Sequence, residues 1–173
     1  MSLISMILLA SSVVPLLSAG QPMPPLKGEY LTGRTAQLPD AASGKVTLVA
    51  LGFTYQSRFP VEAWISRFRL DFGENSQITF YEVPMIGGMA RIGKWFIDSG
   101  MRKGTPAKDQ ENVITVYGGV DSWKQRMGYQ APDVAYLVLL DKHGKVRWHY
   151  SGSFDENAYR ELNAQVTALL REL

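Results

Sequence analysis

Two apolar runs, Tyr136 to Asp141 and Val146 to Tyr150, flank the polar turn Lys142-His143-Gly144-Lys145. So short a connection containing glycine makes the two runs an antiparallel β-hairpin. Directly behind it, Ser153 and Glu156 stand three apart as a capping box. The helix they open carries Phe154, Ala158, Leu162, Val166, Leu169, Leu170 and Leu173 on one face. The chain therefore ends in an antiparallel pair with an amphipathic helix to cover it. Whatever precedes must extend that sheet or pack on it.

The preceding periodicities alternate between strand and helix. Lys45 to Phe53 is a short apolar run rich in β-branched residues, suited to a central strand buried on both faces. Pro60 opens a helix with Val61, Trp64, Ile65 and Phe68 at helical spacing, and Gly73 ends it. Gln77 to Val83 reads as a second strand. Met89, Ile92, Trp95 and Phe96 form the stripe of a second helix, broken afterwards by Gly100, Gly104 and Pro106. Val113 to Tyr117 is a third strand, and Asp121 to Gly128 a small helix. Leu26 to Pro39 adds a leading strand or hairpin that turns at Thr32-Gly33. The order is β-α-β-α-β-α-β-β-α, an α/β chain with a central mixed sheet flanked by helices.

With 173 residues, 46% of them hydrophobic, one core can form without staples. None exists: the chain contains no cysteine, which excludes disulfides, thiolate nucleophiles and cysteine-ligated metals. Eighteen Lys and Arg against 16 Asp and Glu give a net charge of +2, too little to mark a nucleic-acid binder.

Residues 1–20 carry no charged side chain, and Leu3 to Leu17 is almost wholly apolar before Ser18, Ala19 and Gly20. This reads as a signal peptide, with an uncleaved N-terminal anchor as the rival, and places the mature chain in an exported compartment, periplasmic or secreted. Gln21, Pro22, Met23, Pro24 and Pro25 read as a Pro-rich linker, and 26–173 as the folded domain.

The element order resembles the thioredoxin-like fold in the extended form of peroxiredoxins and Sco-type copper chaperones. In those relatives the first strand runs into a redox loop, and here Gln56 and Pro60 stand where a Sco-like protein carries cysteines. A closer resemblance rests on Gly93 to Gly104 (GKWFIDSGMRKG) and on Gly128 to Gly152, above all the Tyr136 to Trp148 hairpin text followed by Ser151-Gly152 and Asp155-Glu156. These residues resemble the mitochondrial ATP synthase assembly-factor family, ATPase assembly factor ten, whose members are cysteine-poor and thioredoxin-like. The resemblance implies a redox-inactive protein that works by binding other proteins, as an assembly factor or chaperone for a membrane complex.

Two surfaces stand out as sites. The loop Tyr55, Gln56, Ser57, Arg58 and Phe59, facing Asp133, sits at the amino end of a helix, where free N–H groups and Arg58 make a small positive site beside aromatics. A peptide or carboxylate fits there. So does a plainer reading, in which Phe59 staples the helix and Tyr55 packs on the hairpin. Arg91, Lys94, Arg102 and Lys103 form a basic cluster beside Trp95, Phe96 and Met101. It reads either as a surface for an acidic partner or anionic lipid headgroups, or as a solvated helix face with core aromatics beneath. His143 and His149 have no metal-pair spacing, no G-x-S-x-G elbow exists, and Glu62, Glu82 and Asp133 have no catalytic spacing. No catalytic residue, metal or cofactor is assigned. Small-ligand or metal carriage in the slot between Tyr55 to Phe59 and Asp133 to Ala135 is the alternative function.

Overall fold

The computed structural model describes residues 14–172. Its elements in chain order are β1 (Leu26–Tyr30), β2 (Thr35–Leu38), β3 (Val46–Gly52), α1 (Arg58–Phe72), β4 (Ile78–Pro84), α2 (Lys94–Gly104), β5 (Ile114–Thr115), α3 (Val120–Arg126), β6 (Ala135–Leu140), β7 (Val146–Gly152) and α4 (Glu156–Leu170). A turn of 3-10 helix, Gly88–Gly93, leads into α2.

The central sheet has the order β4-β3-β6-β7, with β3 parallel to β4 and antiparallel to β6. A second sheet, β2-β1-β5, joins its β4 edge through parallel bridges Glu82 to Val113 and Met85 to Val116. All seven residues of β3 are buried, as an apolar run flanked by strands and covered on both faces requires. Alternation then divides the core. Leu48 and Ala50 face α1 and α4, while Val49 and Leu51 face the side of β1, β2 and α3. Trp64 is fully buried on the first side, its ring centroid 5.1 Å from Phe154, 5.3 Å from Tyr150 and 6.1 Å from Tyr159. Aromatic pairs of this kind add about 0.5–1.5 kcal/mol beyond area burial.

The structure corrects three local expectations and adds one irregularity. Helix α1 begins at Arg58, so Pro60 lies inside the first turn, where its missing N–H costs nothing. The cap of α4 is Asp155, whose Oδ1 accepts from the Ala158 N–H at 2.9 Å; Ser153 comes too early because β7 runs on to Gly152. Helix α2 continues through Gly100 to Gly104 because Lys94, Asp98 and Arg102 tie it down along its length. A bulge in β7 leaves Arg147 without a partner in the ladder, so that Val146 and Trp148 enter opposite cores. The half-buried Arg147 turns instead to Asp141 and makes a paired contact with Glu172 at 3.0 and 3.1 Å.

The stretch read as a linker is packed. Val146 N–H donates to Gln21 O and Met23 N–H to Gly144 O, both at 2.9 Å, and the Met23 side chain is buried. An extended segment on a strand edge turns only alternate residues toward its partner, so the prolines at 22 and 24 take the positions whose N–H groups are not needed. Further back, Leu17 N–H donates to Arg126 O at 2.9 Å and the Leu17 side chain joins the core. Residues 1–13, most of the segment read as a signal or anchor, lie outside the described residues.

Candidate functional site

The loop that leaves β3 is closed by hydroxyl groups. Ser57 Oγ accepts from the Thr54 N–H at 3.1 Å and donates to Thr54 O at 2.7 Å. Thr54 Oγ1 accepts in return from the Ser57 N–H at 3.1 Å. Its own hydrogen points across the slot, to Asp133 Oδ1 at 2.8 Å with Pro132 O at 3.2 Å. Ser57 is fully buried as a result. Glycine at position 52 is required, because a Cβ there would lie 2.6 Å from Ser57 Oγ. The loop is thus knotted to itself and pinned to the segment before β6.

Three rings support the pin from below. Phe53 meets Tyr136 and Tyr129 edge-on at 5.2 and 5.3 Å, and Tyr129 stacks on Tyr136 at 5.7 Å. The buried Tyr136 hydroxyl accepts from the Gln130 and Ala131 N–H groups and donates to Ala131 O at 2.8 Å, shaping the approach to Asp133. Burial pushes the Tyr129 phenol above its ordinary pKa, with the neighbouring Tyr136 and Asp133 adding to it.

Above the knot the side chains turn outward. Tyr55 is 70% exposed and Phe59 52% exposed, so neither packs on the hairpin nor staples α1. The Arg58 guanidinium carbon lies 4.0 Å from the Tyr55 ring centroid and 4.5 Å from that of Phe59. A cation held between two exposed rings is an amphipathic platform suited to a carboxylate or aromatic side chain of a partner. Gln56 is also exposed. Of the loop residues named from sequence, Tyr55, Gln56, Arg58 and Phe59 share this outer face, whereas Ser57 is structural and Asp133 acts through Thr54.

The slot itself is spanned by the Thr54–Asp133 contact. A surface hollow of about 520 Å³ lies beside it between Phe53, Gly87, Tyr117, Val120 and Lys124, and is lined by none of residues 54–59.

The basic cluster does not form one face. Lys94 Nζ bonds Glu29 at 2.9 Å and Asp98 at 2.5 Å, and these carboxylates raise its pKa, Asp98 foremost. Tyr117 donates to Asp98 at 2.6 Å, and burial together with that carboxylate drives its phenol strongly upward. Arg102 Nε donates to Leu31 O at 2.6 Å. Lys103 is exposed, and the side chain of Arg91 lies outside the described residues. The aromatics expected beneath the cations are outside: Trp95 is 72% and Phe96 75% exposed. Sequence reasoning passed over Thr54 and Tyr136 as site residues. The Thr54-x-x-Ser57 spacing, which lets each hydroxyl reach the other residue's backbone, is the signal that was there.

Solved structures show the same fold. The thioredoxin domain of a thiol-disulfide oxidoreductase from Bacteroides vulgatus aligns at 20% identity and TM-score 0.60, covering 87% of this chain and 99% of that one. A thiol:disulfide interchange protein from Bacteroides sp. aligns at 20% identity and TM-score 0.59 (87% and 91%). BsSco, of the Sco family of cytochrome c oxidase assembly proteins, aligns at 14% and TM-score 0.59 (89% and 96%). The architecture is thioredoxin-like, on a chain that has no thiol. No curated protein sequence matches it. The family model of the ATP10 protein matches residues 18–169, nearly all of the described chain, and the protein accordingly belongs to the ATP10 family.

Proposed function

We propose that this protein is a redox-inactive assembly factor that binds a protein client of ATP synthase through the Tyr55–Arg58–Phe59 platform. The observation that carries the reading is the knotted loop. The chain carries no thiol, the two hydroxyls of this loop are consumed in holding the backbone still, and the exposed groups left above them are suited to contact rather than to bond exchange. Family membership supports a role in building ATP synthase. The apolar, uncharged residues 1–17 support an exported or membrane-tethered location.

The test is genetic and biochemical. In cells lacking the protein, assembled ATP synthase on native gels falls; the intact chain restores it, and a Y55A/R58A/F59A variant that melts like the parent does not. The pure protein reduces neither insulin nor peroxide. Full restoration by the triple variant removes the platform from the function, and undiminished ATP synthase in the deletion strain removes the function itself.

A further inference from the structure

Helix α2 is amphipathic in the reverse sense. Its polar stripe, Lys94, Asp98 and Arg102 at i, i+4 and i+8, is the side bonded to Glu29, Tyr117 and Leu31 of the domain. The apolar groups Trp95 and Phe96, with Ile92 just before them, point away at 72%, 75% and 79% exposure, and the helix has no buried residue. The two rings pack edge to face, centroids 4.8 Å apart, as a protruding knuckle. Three large apolar side chains held in water by ion pairs behind them are an energetic cost with no return inside the molecule.

We propose that this knuckle is a membrane-interface docking surface whose occupant is an anionic lipid bilayer. Charge argues for the occupant. Both carboxylates of the segment are paired and largely covered, Asp98 with Lys94 and Asp109 with Arg69 at 3.0 Å, while the exposed Lys103 has no ion-pair partner among the described residues. Lys103 stands seven residues after Phe96, two turns along the same side of α2, so the outer face is aromatic and cationic, the composition of side chains that settle at headgroup depth. This inference goes beyond client binding and does not depend on it.

The experiment mixes the full chain with vesicles of phosphatidylcholine, with or without phosphatidylglycerol, and follows tryptophan emission. Trp64 and Trp123 are buried and Trp148 partly so, which makes Trp95 the responsive group. Its emission moves to the blue on the anionic vesicles and is quenched by brominated lipid, and Trp95→Phe abolishes both effects. Affinity for anionic vesicles falls roughly tenfold or more in W95A/F96A and roughly tenfold in K103E. An unmoved emission, or a response to an apolar helical peptide but not to vesicles, overturns the proposal. Vesicle affinity undiminished in W95A/F96A also overturns it, assigning adhesion to the apolar residues before Leu17; equal binding with and without phosphatidylglycerol overturns the choice of occupant.

Discussion

Gly52 and Ser57 compete for one space, and two side-chain choices follow from it. Gly52→Ala pushes a methyl group to within 2.6 Å of Ser57 Oγ and breaks the knot. Ser57→Ala leaves the partly buried Thr54 backbone without its partner and costs about 1 kcal/mol. Because both act on the same contact, the double variant is expected to lose clearly less than the sum, read as coupling in a urea-denaturation cycle. Asp141 makes a second prediction. Burial pushes its carboxyl up, but the Lys145 and His143 N–H groups and the Arg147 guanidinium outweigh that and hold it below the ordinary value. A depressed pKa contributes stability above the unfolded value and loses it as pH falls through the folded one. The urea midpoint should therefore drop below about pH 4, and less steeply in Asp141→Asn.

At the scale of elements, legibility followed burial. Strand β3, the Trp64 face of α1 and the hairpin came directly from periodicity, because apolar spacing reports a buried face whatever covers it. Helix α2 was legible in its stripe and illegible in its sense. Spacing shows that Trp95 and Phe96 share a side, but only the position of Glu29 and Leu31, far off in sequence, decides which side meets the domain. The platform was half legible: Tyr55 and Phe59 were named, but their exposure depends on the knot beneath, which needs Asp133 from across the sheet. The bulge at Arg147 had no local sign. The ties along α2 give a prediction of their own. Asp98→Ala removes the acceptor shared by Lys94 and Tyr117, so amide exchange in α2 should quicken at least roughly tenfold while β3 keeps its protection.

For the molecule as a whole, the fold extends back to Leu17. Removing the residues before Gln21 strips Leu17 from the core and breaks its bond to Arg126 O, and Gly20 loses Val146 O. The shortened chain should be less stable than the full one by about 2 kcal/mol in urea melts. A leader cut at Gly20 would therefore weaken what it leaves behind. Translation gives the same stitching a temporal meaning. Leu17, Gly20 and Met23 leave the ribosome more than 100 residues ahead of the carbonyls that receive them, on Arg126, Val146 and Gly144. While the residues between are being made, Leu17, Gly20 and Met23 have nowhere to dock and stay within reach of any targeting machinery. The window shuts only when the hairpin turn emerges.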